Sequence, residues 1–162
     1  MGDRRREAYR GGVIRTAGPG DAAEVARLLD AFNREFDTPT PGPDVLEARL
    51  RPMLGTPDTV AFLAGEHSVG LALVTYRPNV WHDGPVALID ELYVRPDYRD
   101  HGLGTELVDA VVADAAERGC RLVEVNVDEG DGDALRFYAR HRFALLQPDT
   151  GERALYLARD VR

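Results

Sequence analysis

The stretch VALIDELYVRPDYRDHGLGTELV, residues 86–108, changes its apolar period partway along, and that change decides how the chain is read. From Val86 to Val94 the residues are apolar apart from Asp90 and Glu91, a strand pattern. Pro96 breaks it, and from Leu103 the positions Leu107, Val108, Val111 and Ala115 recur at helical spacing. Gly119 closes that helix from just past its end. Between strand and helix stands Arg99-Asp100-His101-Gly102-Leu103-Gly104. A helix start carries unpaired backbone N–H groups and the positive end of the helix dipole, and both favour an anion. Gly102 and Gly104 lack a Cβ, so the backbone there can turn sharply and approach a ligand closely. Arg99 is expected to add a fixed positive charge beside them. A dinucleotide-binding turn would need a third glycine where Leu107 stands, and a P-loop would need Gly-Lys-Ser/Thr, which is absent.

Toward the N-terminus, Thr59–Ala64 and Ser68–Tyr76 read as strands joined by Gly65-Glu66-His67, a hairpin, with Pro78–Pro85 as the next loop. Val13–Thr16 is an opening strand. Asp21 with Glu24 predicts a capping box, followed by Val25, Leu28, Leu29, Phe32 and Phe36 at helical spacing to about Asp37. Thr38–Pro43, with prolines at 39, 41 and 43, is a loop. A second helix follows, about Asp44–Leu54. Toward the C-terminus come a strand at Leu122–Val127, a helix at Ala134–His141, and an antiparallel pair, Phe143–Gln147 with Ala154–Ala158, around Asp149-Thr150-Gly151. The order β-α-α-β-β-β-α-β-α-β-β predicts an α/β (α+β) fold: a mixed, mostly antiparallel twisted sheet of about seven strands with helices on both faces.

A length of 162 residues suits one core, so residues 12–162 are expected to form a single domain behind a flexible tail, residues 1–11. Met1–Arg10 lacks the apolar run of a secretory signal, and Arg6 occupies the Ser/Thr place of a myristoylation motif. No apolar run suggests a membrane span. The formal charge of -8 argues against a nucleic-acid partner and suits a cationic small molecule better. Cys120 is the single cysteine, which excludes an internal disulfide and fits a cytoplasmic setting; with no histidine pair at metal-ligand spacing, no metal is expected.

Arg99, Gly102 and Gly104 match Arg/Gln-x-x-Gly-x-Gly/Ala between a strand and a helix, and this resembles motif A of the GCN5-related N-acetyltransferase (GNAT) superfamily. Leu92-Tyr93-Val94-Arg95-Pro96-Asp97-Tyr98 is similar to that family's approach to the motif, and Ala134-Leu135-Arg136-Phe137-Tyr138 with Phe143 looks like its motif B. The chain departs from the pattern at Asp131, where the family commonly has Asn, and at Arg142, where it commonly has Gly; the second departure suggests a different turn. The resemblance implies an acetyl-CoA-dependent N-acetyltransferase acting on a primary amine in a ternary complex. It places Leu92, Tyr93, Val94, Arg99, Asp100, His101, Gly102, Leu103, Gly104, Thr105, Asn126 and Asp131 at the coenzyme. Relatives are often dimers, so a homodimer is an open expectation.

Acetyl transfer needs a polarised carbonyl, a proton for the departing thiolate and a base for the amine. The resemblance implies that a β-bulge near Leu92–Val94 frees a backbone N–H for the carbonyl, that Asn126 lies where pantetheine inserts, and that Tyr138 protonates the sulfur. For the base, Glu91 is the first choice, because a carboxylate interrupting an apolar strand is costly without a purpose. Alternation puts Asp90 with Leu88 and Leu92 on one face and Glu91 with Ile89 and Tyr93 on the other; which of the two carboxylates meets substrate stays open. An acidic lining from Asp37, Asp83, Asp90 and Glu91 would favour a polycation such as a polyamine or aminoglycoside, with His82 and Asp83 as further substrate contacts. His101 and His141 read as helix-end or surface residues. The competing readings are a protein N-terminal or lysine acetyltransferase, a noncatalytic acyl-CoA sensor, and a nicotinamide-dependent enzyme.

Overall fold

Two central strands with nearly every residue buried set the frame of the computed structural model, which describes residues 13–161. The tail expected over residues 1–11, Arg6 included, lies outside the described residues. The described chain divides into two units, one ending at Val123 and one beginning at Glu124.

In the first unit the strands are β1 (Ile14–Thr16), β2 (Thr59–Ala64), β3 (Gly70–Arg77) and β4 (Val86–Val94), followed in sheet order by β5 (Leu122–Val125). The pairings from β1 through β4 are all antiparallel. Alternation then sorts the side chains between two helical layers. Ala61, Leu63, Leu71, Leu73 and Tyr93 form one core with Val25, Ala26, Leu28 and Leu29 of α1 (Ala22–Glu35) and Leu50 of α2 (Pro43–Met53). On the other face lies α3 (Leu103–Glu117), with Leu103, Leu107, Val108, Val111 and Ala115 buried. The Tyr76 hydroxyl donates to Asp114 of α3 at 2.5 Å, and Arg118 lies over the Tyr76 ring. Helices therefore cover both faces, as the apolar periods predict.

The helix ends show why local patterns work and where they mislead. Asp21 and Glu24 do not make a capping box for α1. Asp21 accepts from Gly18 N (2.8 Å), one turn earlier, and both carboxylates pair with Arg15 of β1. Pro43 opens α2 at the first helical position, where a missing N–H costs nothing. At the far end of α3, Gly119 takes φ +76°, the left-handed turn that ends a helix.

The second unit holds α4 (Gly132–Arg140). The two strands expected at Phe143–Gln147 and Ala154–Ala158 do not form: a single isolated bridge, Leu146 with Arg153, is all that pairs there. The sheet thus has five strands among the described residues instead of about seven. Alternating apolar residues record a capacity to pair and supply no partner; Leu155, Tyr156 and Leu157 remain exposed. Arg142 holds φ +66°, the conformation glycine favours, so the turn where a different backbone was expected keeps a left-handed one.

Candidate functional site

The approach to α3 is built by Pro96, which starts a short 3-10 turn over Pro96–Tyr98. Two left-handed residues follow, Asp100 at φ +62° and Gly102 at φ +85°. Leu103, almost wholly buried, pins the first turn of α3 to the core, while Asp100, His101 and Gly102 stay exposed. The first helical bond runs from Glu106 N to Gly102 O at 3.0 Å. The amides of Leu103 and Gly104 come before it, and Gly102, which holds the cap position, has no side chain with which to accept from them. A Cβ at Gly102 would meet nothing within 4 Å, so the backbone there is open to an approaching group. Donor amides, a positive helix end and open access are what a diphosphate requires, and residues 102–104 fit that group.

Arg99, expected to add positive charge beside this turn, is also engaged within the protein. Its Nε donates to Val94 O (2.8 Å), and its Nη2 reaches both oxygens of Glu35, the last residue of α1, at 2.7 and 2.9 Å. Tyr93 donates its hydroxyl to the same carboxylate (3.0 Å), and its ring stacks on Phe32 at 5.1 Å between centroids. Burial, then the bond to Glu35, pushes the Tyr93 hydroxyl above its ordinary pKa. Glu35 was missed in the sequence, although a carboxylate in the last turn of a helix opposes the helix dipole and so signals a partner.

The centre of β4 holds the second feature. Leu73 pairs with Glu91 but Val74 pairs with Ile89, so Asp90 is the extra residue of a β-bulge. The bulge thus lies at Asp90, upstream of the Leu92–Val94 position expected for it. Its side-chain geometry differs too. Past the bulge the face of the strand switches: Glu91 shares the α1 and α2 face with Leu73 and Tyr93, and Ile89 falls with Val74 on the opposite one. Strict alternation had grouped Ile89 with Glu91. Both carboxyls are pushed above the usual carboxylate range. For Asp90, burial outweighs a hydrogen bond from Thr75; for Glu91, burial leads and the neighbouring Asp90 charge adds to it. Asp90 retains an exposed surface and Glu91 is half-buried. A carboxylate whose pKa is raised toward neutrality is better matched to accept a proton at working pH.

Asp37 and Asp83 lie toward opposite ends of β4. Asp37 lies past the end of α1, near the Tyr93 end of β4, whereas Asp83 precedes the strand's first residue. At about 3.3 Å per residue the strand alone separates those ends by over about 20 Å. The loop carrying Asp83 is held by Asn79, whose Oδ1 accepts from Trp81 N and His82 N at 2.9 and 3.1 Å.

Within the second unit, Asn126 is exposed just past β5. Asp131 accepts from Ala134 N (2.9 Å) and so caps α4. Tyr138 is buried on α4, its ring edge-on to Phe143 at 5.3 Å. His141 caps the end of that helix. Among the described residues no group of three His, Cys, Asp or Glu side chains could hold a metal ion, and no helix is long and apolar enough to cross a membrane.

Comparison with known proteins agrees with this arrangement. Residues 24–143 match the acetyltransferase (GNAT) family. A putative acetyltransferase from Arthrobacter sp. FB24 superposes with a TM-score of 0.87 at 46% identity, covering 98% of this chain and 100% of that one. The aminoglycoside N(6')-acetyltransferase type 1 of Stenotrophomonas maltophilia is 34% identical over 67% of this chain and 71% of its own. The thialysine N-epsilon-acetyltransferase of Bos taurus is 24% identical over 78% and 80%. An uncharacterized N-acetyltransferase of Methanocaldococcus jannaschii is 41% identical over 58 residues, a match that spans 36% of this chain and 26% of that relative. The chain belongs to the acetyltransferase (GNAT) family and is by class an acyltransferase.

Proposed function

We propose that this protein moves the acetyl group of acetyl-CoA to the primary amine of a small cationic molecule, by direct attack in a ternary complex. The observation that carries the reading is the open glycine turn at the start of α3, whose amides at 103 and 104 precede the first helical bond. The family match crosses Val123, where the first unit ends, which supports residues 12–162 acting as one domain; the lone cysteine fits a cytoplasmic setting. Two curated relatives are named for amine acceptors, thialysine and aminoglycosides, and the neighbouring carboxyls Asp90 and Glu91 would attract a cation when ionised.

The residue roles are those that the family resemblance implies, with Glu91 added as the base. When bound, acetyl-CoA supplies the acetyl group as a thioester. The amides from Gly102 to Thr105 hold its diphosphate, with Asp100, His101 and Leu103 shaping the turn. A backbone N–H freed along the bulged part of β4, between Asp90 and Val94, donates to the acetyl carbonyl. Glu91 takes the amine proton, directly or through water. Asn126 and Asp131 serve the coenzyme side, and the Tyr138 hydroxyl donates a proton to sulfur as the thioester bond breaks and the amide bond forms.

The test is acetyl-CoA turnover against a panel of polyamines, aminoglycosides, amino-acid derivatives and lysine peptides. Free thiol release should accompany a product about 42 mass units heavier, the acetyl increment. Coenzyme binding with no thiol release across the panel would leave a sensor and refute the enzyme. Acetylation of the peptides alone would move the substrate class to proteins.

A further inference from the structure

A carboxylate beside a site meant for a diphosphate is electrostatically wrong unless it does something else, and Glu35 is such a carboxylate. Resting on the coenzyme reading above, we infer that Glu35 is a positioning residue: it holds Arg99 as a strut that fixes the turn at 99–104, so that main-chain amides, with Arg99 committed elsewhere, grip the anion.

The contacts support a strut. Arg99 is fastened at two points of the first unit, to Val94 O at the end of β4 and to Glu35 at the end of α1. Glu35 is fastened a second time by the Tyr93 hydroxyl, and the Tyr93 ring is fixed in turn by its stack on Phe32. Arg99 is directly followed by Asp100, whose backbone is left-handed, and then by the exposed His101 and Gly102. A segment with that backbone and little burial of its own needs an external anchor to keep one shape. The same helix is tied to the Pro-rich loop, since Thr40 donates to Asp30 (2.9 Å) and Asn33 donates to Pro39 O (3.2 Å). Through Glu35, α1 therefore bridges the loop after it and the anion turn.

The strut and its rival, direct contact of Arg99 with phosphate, predict opposite signs for one substitution. If Arg99 gripped the anion, Glu35→Gln would remove a repelling charge, free the guanidinium, and leave coenzyme A binding equal or tighter. If Arg99 is a strut, Glu35→Gln loosens the turn and weakens binding by about tenfold, the effect of losing one charge-assisted hydrogen bond. Arg99→Gln should then cost about as much, and the double variant little more than either single one, because both changes break the same tie.

The experiment is calorimetric titration of the full-length chain with coenzyme A, alongside thermal melts of each variant. Tyr93→Phe, which keeps the ring stack and removes one bond to Glu35, is the milder variant should Glu35→Gln fail to fold, and it should weaken binding by about threefold. Tighter or unchanged binding in Glu35→Gln, or in Tyr93→Phe where that is the variant measured, overturns the strut. So does an additive double variant. No coenzyme binding by the unaltered chain sinks the coenzyme reading itself, a separate result.

Discussion

Gly102→Ala tests the open turn against a control contained in the same helix. Gly102 at φ +85° precedes α3, and Gly119 at φ +76° follows it. At neither position would a Cβ meet an atom within 4 Å. The substitution therefore carries the same cost at both ends, that of forcing an L side chain into the left-handed region, about 1 kcal/mol. For a chain of this size that lowers the melting temperature by about 2–4 °C. The two variants should melt alike. They should differ in coenzyme affinity, because only at 102 does the new methyl project into the space from which a diphosphate must approach amides 102–104. Loss or lengthening of one N–H bond to a charged oxygen weakens binding by about tenfold or more. Gly102→Ala should show that loss by calorimetry with coenzyme A, and Gly119→Ala should bind as the unaltered chain does. Equal affinity in all three proteins would refute the turn as the anion site, and equal loss in both variants would assign the effect to general destabilisation.

Tyr138→Phe should lower kcat at least about tenfold while coenzyme affinity is unchanged, as single-turnover kinetics would show; an unaltered kcat removes Tyr138 from proton transfer. A base must be ionised, so kcat/KM should rise with pH through the raised pKa of Glu91, and Asp90→Asn should shift that limb to lower pH by removing the neighbouring charge. Because burial disfavours the Glu91 anion in the folded chain, ionisation costs stability as pH rises through its folded pKa. Glu91→Gln should therefore melt higher than the unaltered chain at pH 7, with the advantage gone below the ordinary glutamate pKa of about 4.3. Arg142→Gly, relieving φ +66°, should raise the melting temperature by about 2–4 °C, read by differential scanning calorimetry.

The bounds of β4 and the start of α3 were legible because a near-continuous apolar run giving way to helical spacing is a local property. The glycine turn was legible for the same reason. The bulge was not: counting alternate residues assumes one unbroken register, and a single extra residue leaves no mark in composition. Glu35 and Arg99 are 64 positions apart, so nothing short of the fold brings them together. The closing strands were over-read, since Leu155-Tyr156-Leu157 has strand chemistry without a strand partner.

The bulge also makes β4 unusually tolerant of being shortened. Removing one residue from an inner strand ordinarily turns everything beyond it inside out. At position 90 the flanking partners, Ile89 on Val74 and Glu91 on Leu73, are already neighbours on β3. A chain lacking Asp90 would close into an ordinary unbroken ladder with Tyr93 still facing α1, and would keep its shape while losing the irregularity. Excision of the single codon for Asp90 would therefore separate the role proposed for the bulge from the architecture that carries it.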